Sequence, residues 1–365
     1  MRVLYDGVIY SHQAAGGINR YFANVIGLLP EEVTPILIST HRRSTNFPAH
    51  PNLELHLRSW RLPKMLGKVR RALQRTYFRR LAATISADVL HPTYYRTLSG
   101  SEFDTSGPPQ VLTVHDMTHE RFAAMIDRRG KHAAEKRTAI NRADAIICVS
   151  DYTRNDLLDL YPHVEDRVSV IHQATEMDQV KPDDWSPADE RPFFLFVGAR
   201  GSYKNFDRLL EALGLLKKKR SDVQLHTVGS PLKQAETARI ESLGLSDQVV
   251  DHGLVSDARL SSLYRHCAAF VYPSLYEGFG IPLLEAMGCG APILASNVSS
   301  IPEVTEDAAL LFNPESVEEI EERMTQILDD TRLREDLIER GHRRRSVFSW
   351  QATAEETLAV YRRLT

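Results

Sequence analysis

Two carboxylates, Glu277 and Glu285, are separated by seven residues where the sequence pattern changes from strand to helix. The apolar run from Ala268 to Tyr272 precedes them and is typical of a buried strand. Pro282 favours a helix start, because its missing N–H would have no partner at a first helical position. A strand, a loop and a helix N-terminus together can bind an anion. Because acids would repel an anion, we interpret both carboxylates as acceptors of hydrogen bonds from sugar or ribose hydroxyl groups.

The loop between these two elements contains Gly278 and Gly280, and glycine allows a backbone to approach a ligand closely. Each acid also has a plainer interpretation. Glu277 could be a solvated loop residue, and Glu285 an acid that the helix dipole favours. Two glycines, a proline and two acids at these spacings favour a binding site over that alternative.

A second group, Arg200 and Lys204, follows the strand-like run Phe193 to Val197. Arginine offers a bidentate fork and lysine a point charge, and both suit a diphosphate. Two solvated surface cations are the alternative. Their place after the first strand of a new run of alternating elements favours the diphosphate interpretation.

Two weaker signals lie in the N-terminal half of the chain. His115 and Asp116 follow a strand-like run, where a histidine could hold or move a proton. Alternatively, Asp116 caps a helix beside a histidine with a purely structural role. The pair Gly16 and Gly17 precedes an amphipathic segment, and two glycines in a loop are by themselves a weak signal.

These residues require elements that position them, and apolar periodicity predicts several. The predicted strands include Val111 to Val114, Phe193 to Val197 and Gln224 to Val228. The predicted helices include Arg61 to Ala83 and Phe206 to Lys219.

The alternation of strands and helices runs twice, over residues 1–180 and 193–349. Residues 181–192 are rich in proline and acid and predict a linker. Two such runs predict an α/β protein with two doubly wound parallel sheets, whose ligands bind beyond the carboxyl ends of the strands. We expect the two domains to face a cleft, and a last helix within residues 350–365 to pack back on the first domain.

The composition excludes several classes of protein. A formal net charge of −3 over 365 residues does not suit a chain built as a whole to bind nucleic acid. No apolar run is long enough to span a bilayer, and the N-terminus enters a strand pattern without a signal peptide. Cys148, Cys267 and Cys289 have no paired spacing, which favours a reducing compartment and a cytoplasmic location. No D-x-D triplet and no Cys/His cluster suggests a metal site.

A basic segment lies within residues 58–80. The stretch 55–87 contains nine Lys or Arg and no acid, with apolar residues interleaved. Such a helix could lie on an anionic membrane surface, which would place the protein peripherally on the inner face of the membrane. The alternative is a solvated basic face over an apolar stripe that packs on the core.

The segment from Glu277 to Glu285 resembles the E-x7-E motif of the retaining nucleotide-sugar glycosyltransferases of family 4, or glycosyl transferases group 1. That family has the GT-B fold, and the resemblance extends over nearly the whole chain. It implies that Glu277 binds the hydroxyls of the donor sugar and Glu285 those of the ribose. The backbone amides that it implies for the sugar and diphosphate belong to Gly278, Phe279, Gly280 and Ile281.

The same resemblance implies roles for the other groups. Arg200 and Lys204 would stabilise the leaving diphosphate, and His115 would lie close to the transferred sugar with Asp116 as its support. The amide of Gly17 would lie against the donor phosphate. Residues 170–174 depart from the family, whose members commonly have an Asn-Gly pair there, so no acceptor-side role is carried over.

The resemblance is closest to mannosyl-transferring members, and it implies a metal-independent hexose transfer with retention and without a cofactor. GDP-mannose is the first donor expected and a UDP-hexose the second. The acceptor would be a glycan or lipid-linked saccharide in cell-surface polysaccharide synthesis, with no nucleic acid partner.

Four rival functions remain to be compared with this one. A nucleotide-sugar 2-epimerase of the same architecture and a catalytically inactive sugar-nucleotide-binding subunit are the main alternatives. An oxidoreductase is disfavoured because Leu283 occupies the third glycine position of a dinucleotide fingerprint. A glycosidase that uses Glu277 and Glu285 would leave Arg200 and Lys204 without a role.

Overall fold

The computed structural model describes residues 1–12, 16–40, 46–59, 63, 65, 67–100 and 107–365. The chain divides into two compact units. The first comprises Met1–Gln173 together with Ser349–Thr365, and the second comprises Ala174–Phe348.

The first unit is built from parallel strands that alternate with helices. Its strands are β1 (Arg2–Asp6), β2 (Thr34–Ser39), β3 (Glu54–Leu57), β4 (Val89–Leu90), β5 (Val111–Val114), β6 (Ala145–Cys148) and β7 (Val168–Val170). Its helices up to Gln173 are α1 (Ile9–His12), α2 (Gly17–Gly27), α3 (Gly67–Thr84), α4 (Thr118–Arg121), α5 (Ala123–Ile126), α6 (Lys131–Arg142) and α7 (Asp151–Leu160).

The sheet of the first unit is doubly wound. Its strands pair in the orders β3-β2-β1-β4 and β5-β6-β7, and a parallel bridge between Leu90 and Gln110 joins the two parts. Every strand pair is parallel. The chain reverses its direction of winding between β1 and β4, and ligands of such sheets bind at the carboxyl ends of the strands beside this point.

The second unit repeats this plan. Its strands are β8 (Phe193–Val197), β9 (Gln224–Val228), β10 (Val249–Asp251), β11 (Ala269–Tyr272), β12 (Ile293–Ser296) and β13 (Leu310–Phe312). Its helices are α8 (Phe206–Lys219), α9 (Gln234–Ser242), α10 (Asp257–His266), α11 (Ile281–Gly288), α12 (Ile301–Thr305), α13 (Val317–Asp329) and α14 (Thr331–Arg345). The last helix, α15 (Trp350–Arg362), belongs to the first unit.

The order β10-β9-β8-β11-β12-β13 places the switch point of the second unit between β8 and β11. These two strands pair in parallel, with Ala269 opposite Phe194. Both strands are mainly apolar and buried, because helices cover both faces of such a sheet. The loops that follow β8 and β11 are therefore neighbours at one edge of the sheet.

The predicted elements agree with the structure where the apolar periodicity is strong. β5, β8, β9 and α8 have the predicted bounds. The helix predicted from Arg61 begins at Gly67 in the structure. Residues 60–62, 64 and 66 of this segment lie outside the described part of the chain.

The boundary between the units lies upstream of the predicted linker, between Gln173 and Ala174. Residues 181–192 belong to the second unit. The carboxylate of Asp183 accepts hydrogen bonds from Arg259 Nε at 2.7 Å and Ser262 Oγ at 2.6 Å. The ring of Trp185 packs edge-on against His252. The composition of residues 181–192 predicted a linker. It could not reveal these contacts, because the residues that Asp183 and Trp185 contact lie far away in the sequence.

Helix α15 is fixed to the first unit by buried polar contacts. The hydroxyl of Tyr361 lies 3.0 Å from the Tyr5 hydroxyl and 2.6 Å from His91 Nδ1. Thr353 donates a hydrogen bond to the carbonyl of His172 at 2.8 Å. Each of these hydroxyl groups of Tyr361 and Thr353 thus has a hydrogen-bond partner, as burial requires.

Candidate active site

The loop after β8 is a short helical turn that places Lys204 at the sheet edge. Ser202–Lys204 forms a 3-10 turn, and the Lys204 amide donates to the Gly201 carbonyl at 2.8 Å. Asn205 then takes a left-handed conformation, with φ at 59°, which asparagine adopts more readily than most residues. Its side chain donates to the Pro314 carbonyl at 2.7 Å, and α8 starts at the next residue.

Lys204 and Glu277 form an ion pair across the switch point. The distance from Lys204 Nζ to Glu277 Oε1 is 2.5 Å, and the two side chains are 17% and 12% exposed. A backbone hydrogen bond of 2.8 Å, from Leu275 to the Tyr203 carbonyl, joins the same two loops. A carboxylate beside an ammonium repels an incoming diphosphate less than an isolated one, so cation and acid can serve one ligand.

Tyr272 completes this group from the end of β11. Its ring lies 5.6 Å from Lys204 Nζ, and its hydroxyl faces the Glu277 carboxylate. Burial, and then the negative charge of Glu277, raise the pKa of Tyr272 well above its ordinary value. The tyrosine therefore stays protonated and helps to fix the carboxylate.

Two serines that the sequence analysis missed hold the loop of Glu277. The Glu277 amide donates to Ser299 Oγ at 3.0 Å. Ser300 Oγ contacts the carbonyls of Glu277 and Phe279, each at 3.0 Å. Ser299 has φ at 57°, a left-handed conformation that costs a non-glycine residue about 1 kcal/mol. The only signal in the sequence was a Ser-Ser pair after an apolar strand, which by itself indicates only a turn.

Gly280 allows α11 to begin directly after the loop. Its φ is 105°, and a Cβ at this position would lie 2.9 Å from Leu283 Cδ1. Beyond Ile281 the first turn offers no further amide to a ligand, because Pro282 has no N–H and the Leu283 amide donates to the Gly280 carbonyl at 2.9 Å. The amide of Ile281, the first residue of α11, has no intrahelical acceptor.

Glu285 is buried in α11 and only 7% exposed. The hydroxyl of Tyr264, from α10, donates to Glu285 Oε2 at 3.3 Å. Burial, and then the charge of Glu285, raise the pKa of Tyr264 well above its ordinary value. The structure thus places Glu277 and Glu285 on one loop and its helix, and each carboxylate faces the hydroxyl of a buried tyrosine.

Arg200 makes its contacts with a neighbouring loop. Its Nε lies 3.3 Å from Glu236 Oε2, and Nη2 donates to the Ser230 carbonyl. Nη1 is buried and has no hydrogen-bond partner among the described residues. No contact in the described part of the chain joins Arg200 to Lys204 or Glu277. The structure therefore brings Lys204 and Glu277 together directly, while Arg200 stands on the β9 side of the same loop.

Gly229 explains how the loops after β8 and β9 come so close. A Cβ at this position would collide with the Gly198 carbonyl oxygen and would lie 3.6 Å from Arg200 Nη1. Only glycine allows this approach. The sequence analysis did not single out Gly229, since a glycine after a strand is common in loops.

In the first unit, Gly17 is the first residue of α2 and is exposed. Its amide belongs to a helix N-terminus, where N–H groups lack intrahelical acceptors. The preceding residues 13–15, which include Ala15 of the glycine-rich loop, lie outside the described part of the chain.

His115 directly follows β5 and is held as a neutral imidazole. Gln173 Nε2 donates to His115 Nδ1 at 3.2 Å, which leaves the ring proton on Nε2. The ring packs edge-on against Tyr21, at 5.2 Å between ring centroids. Burial lowers the pKa of His115 to about 4 and outweighs the opposing charge of Asp116. Nε2 is buried with no partner among the described residues, so it offers one N–H donor.

Asp116 is tied to its own unit rather than to the imidazole. Its carboxylate accepts the amide of Thr118 at 2.9 Å, in a local turn before α4, whose N-cap is Met117. It also lies 3.7 Å from the ammonium of Lys136, which is fully buried and pairs with Glu120 at 2.8 Å. Burial alone would raise the pKa of Asp116, but Lys136 and Thr118 hold it below its usual value. The support of His115 is Gln173, in the segment that departs from the family.

Two family profiles match this chain, one in each half. "Glycosyltransferase Family 4" matches residues 15–179, and "Glycosyl transferases group 1" matches residues 178–344. The two matches together include His115 and all of the Arg200, Lys204, Glu277 and Glu285 group.

Curated relatives include mannosyltransferases of Escherichia coli. O-antigen chain mannosyltransferase B is 32% identical over 241 residues, which are 62% of this chain and 62% of that protein. The serotype-specific mannosyltransferase WbdA is 33% identical over 245 residues, which are 63% of this chain but 30% of that protein. The chain thus covers less than two thirds of the length of these relatives.

Solved structures resemble this one over its full length. Sucrose-phosphate synthase from Thermosynechococcus elongatus has a TM-score of 0.79 at 21% identity and covers 100% of this chain and 98% of its own. Anabaena Alr3699/HepE, solved in complex with UDP and glucose, has a TM-score of 0.73 at 16% identity, with 98% of both chains covered. At these identities the likeness shows the fold.

Proposed function

We propose that this chain transfers a hexose. The premise is that the chain belongs to the family 4 glycosyltransferases (glycosyl transferases group 1) and has their GT-B fold. The donor is a nucleoside diphosphate sugar, and the acceptor is a glycan or a lipid-linked saccharide in polysaccharide synthesis. The observation that carries this proposal is the Lys204–Glu277 ion pair at a sheet switch point, with the buried Glu285 on the helix that follows.

Each side chain of this group has a proposed role. Glu285, oriented by Tyr264, accepts hydrogen bonds from the ribose hydroxyls, and Glu277 accepts them from the sugar hydroxyls. Lys204 supplies a fixed positive charge to the diphosphate. Arg200 adds a second charge through its Nη1, which is buried and has no hydrogen-bond partner in the described ranges.

Charge accumulates on the diphosphate as the glycosidic bond breaks, so cations that are already in place stabilise the transition state more than the ground state. Transfer with retention is proposed from family membership. The leaving phosphate accepts the proton of the incoming hydroxyl on the same face of the sugar, and the protein positions both reactants. His115, neutral at pH 7 and protonated at Nε2, would donate a hydrogen bond to a substrate oxygen.

The proposed donor is GDP-mannose. Its support is that relatives at 32% and 33% identity are named mannosyltransferases. The UDP in the HepE structure makes a UDP-hexose the second candidate. A thermal-shift panel of nucleotide sugars tests this choice, because a ligand raises the unfolding temperature according to its concentration relative to its Kd. A larger shift with UDP-hexoses than with GDP-mannose would exclude the proposed donor.

Release of GDP from GDP-mannose tests the activity. We expect Lys204→Ala to lower turnover about 100- to 1,000-fold, which is the usual cost of losing one fixed group at a developing anion. Lys218→Ala, which removes an exposed lysine of α8, is the matched control and should turn over normally. Near-normal turnover in Lys204→Ala would contradict the phosphate role.

The wild-type chain separates the rival functions in the same assay. A donor recovered with inverted configuration at C2 of its sugar would indicate the epimerase. Donor binding without turnover, in the presence of acceptor fractions, would indicate an inactive binding subunit.

We also propose peripheral attachment to the cytoplasmic face of an anionic membrane through α3. The C-terminal half of α3 packs on the core through Phe78, with Leu81 and Ala82 partly buried beside it, but this contact does not account for the apolar side chains further towards the N-terminus. Lys68, Arg70 and Arg71 provide charge that complements anionic lipid. Four apolar side chains at intervals of four residues are exposed: Met65 (89%), Val69 (49%), Leu73 (48%) and Tyr77 (37%).

An exposed apolar stripe beside basic residues is typical of helices that lie in a membrane interface. No helix in the described ranges is long and apolar enough to cross a bilayer.

A further inference from the structure

A cavity of about 770 Å³ lies in the first unit, at the carboxyl ends of the strands of its larger sheet part. Four lining residues come from the segments that follow four strands: Val8 after β1, Thr40 after β2, Ser59 after β3 and Arg96 after β4. Ligands of doubly wound sheets bind at this edge, and the volume is in the range of small-molecule sites. None of the residues assigned above to the donor lines this cavity.

The cavity is strongly basic. Its lining includes five cations and no acid among the described residues: Lys68, Arg70, Arg71, Arg75 and Arg96. The first four project from α3, and the structure gives none of them an ion pair or a hydrogen bond with any described residue. Cations held this close together repel one another, so an anion bound between them would be strongly favoured.

Arg96 is aimed by a histidine. The ring of His12 donates from Nδ1 to the Val8 carbonyl at 2.8 Å, which leaves Nε2 free to accept from Arg96 Nη2. Arg96 Nε is buried and has no partner among the described residues. A guanidinium that is fixed on one side and unpaired on the other has the geometry that binds an oxyanion.

Arg75 is placed in the cavity by a glycine. Gly100 has φ at 62°, in the left-handed region, and a Cβ at this position would collide with the side chain of Arg75. Gly100 therefore allows the left-handed turn and also leaves room for the side chain of Arg75. Of the two arginines, Arg96 is held by His12, and the side chain of Arg75 passes over Gly100.

We propose that this cavity binds a phosphate or diphosphate group of the acceptor substrate. The proposal rests on the transferase function and specifies its acceptor class. No acid among the described lining residues compensates the five cations, and a neutral glycan would not compensate them either, whereas a single carboxylate would neutralise one of them. A diphosphate carries several negative charges within a few ångströms and matches both the charge and the bidentate geometry of Arg75 and Arg96.

Binding of inorganic pyrophosphate to the full chain, measured by calorimetry, tests the site. The measurement is made in an Arg200→Ala/Lys204→Ala background, so that the proposed donor site does not contribute. We expect Arg75→Gln and Arg96→Gln each to raise the Kd about tenfold or more. Arg79→Gln, which removes an exposed arginine of α3 outside the cavity, should change the Kd less than about twofold.

Equal Kd values in all four proteins, or an absence of binding in the background protein, would overturn the proposal. Circular dichroism of each variant establishes that it is folded. Arg75→Lys and Arg96→Lys should recover part of the affinity, because they restore the charge without the fork.

Two further ligands distinguish the possible sources of the phosphate. Farnesyl diphosphate represents a lipid-linked acceptor, and mannose 1-phosphate represents a soluble sugar phosphate. Tighter binding of either ligand, lost in Arg75→Gln and Arg96→Gln, supports the proposal and names the source. If neither phosphate ligand binds, and all variants bind methyl mannoside equally, the proposal of a phosphate site is overturned.

The failure of this proposal is distinguishable from failure of the transferase proposal. If the protein turns over GDP-mannose normally but binds no phosphate in the cavity, only the acceptor proposal is contradicted. Phosphate binding in the cavity without donor turnover removes the transferase function, and it leaves a phosphate site that is no longer assigned to an acceptor.

Discussion

At the scale of single residues, Glu277 is fixed from three directions. Its carboxylate meets Lys204 and the Tyr272 hydroxyl, and its backbone is held by Ser299 and Ser300. A catalytic or binding carboxylate needs this support, because a displacement of about 1 Å can cost about 100-fold in rate. Ser299 keeps an unfavourable backbone conformation while its hydroxyl accepts the Glu277 amide, which is the pattern of strain retained at functional sites.

Two substitutions at Ser299 separate its hydroxyl from its backbone conformation. Ser299→Ala removes the hydroxyl and keeps the left-handed strain, whereas Ser299→Gly removes both. We expect both variants to lower kcat about tenfold, because the Glu277 amide loses its acceptor in each. Ser299→Gly should be more stable than Ser299→Ala by about 1 kcal/mol, measured by urea unfolding.

A normal kcat in both variants would show that Ser299 does not position the loop. Ser346→Ala, at an exposed serine of the same unit, controls for the loss of a hydroxyl.

The hydrogen bond from Gln173 to His115 sets a testable pH dependence. Gln173→Glu places a carboxylate beside the ring, which favours the charged imidazolium and should raise the pKa of His115 from about 4 towards its ordinary value. If the neutral ring is the active form, activity of this variant should fall between pH 7 and pH 5, where the wild type stays active. Histidine NMR and the pH profile of kcat measure the two effects.

Gln173→Met keeps the volume of the side chain without adding charge and serves as the control. An unchanged pH profile in Gln173→Glu, with a raised pKa of His115, would contradict a role for the neutral ring.

At the scale of elements, the loops at the switch points position the candidate site residues. Helix α3 differs from the other helices in how little of it is buried. Most helices bury one face, as α8 does through Phe206, Leu209 and Leu213. Helix α3 buries Phe78 fully and Leu81 and Ala82 partly, and its N-terminal half exposes apolar and basic side chains together. A helix with so little burial derives little stability from packing, so a surface that covers it would stabilise it.

Flotation with anionic vesicles tests the membrane role of α3. We expect the wild type to float with phosphatidylglycerol vesicles at low salt, and high salt to weaken the binding. Val69→Ser combined with Leu73→Ser should reduce the bound fraction several-fold, because each removes an exposed apolar side chain. Leu254→Ser, at an 81% exposed leucine elsewhere, is the matched control.

Wild-type protein that stays at the bottom of the gradient at low salt would contradict the membrane proposal. So would equal flotation of the double variant and the wild type.

At the scale of the whole molecule, stability depends on histidines that stay neutral inside both units. Burial lowers the pKa of His91 to about 3, and of His115 and His226 to about 4. Below about pH 6.5 the unfolded chain protonates these rings and the folded chain does not. Stability therefore falls as the pH falls. Burial raises the pKa of Asp6 to about 7, and this carboxyl opposes the trend between about pH 7 and pH 4.

We expect the three histidines to outweigh Asp6. Lowering the pH from 7 to 5 should then decrease the free energy of unfolding by roughly a few kcal/mol. His91→Gln should flatten this dependence, since glutamine does not titrate and can still bond to Tyr361 or Thr113. Urea unfolding at several pH values measures the slope. An equal slope in His91→Gln and the wild type would contradict the assignment.

The sequence by itself determined the alternation of elements and the candidate residues of the donor group. Strands buried on both faces appear as continuous apolar runs, and this is why β5, β8 and β9 could be predicted residue by residue. Glycine, proline and acid at fixed spacing marked the loop of Glu277, because each of these residue types has a specific backbone or chemical consequence.

Only the tertiary structure decided which of these residues meet. Lys204 pairs with Glu277 because β8 and β11 are adjacent at the switch point, and strand order is set by packing over long sequence separations. The same reason explains Ser299, Gln173 and the packed segment around Asp183, whose partners lie in distant segments of the chain. The basic cavity likewise required four strand ends to converge, which no local pattern of residues encodes.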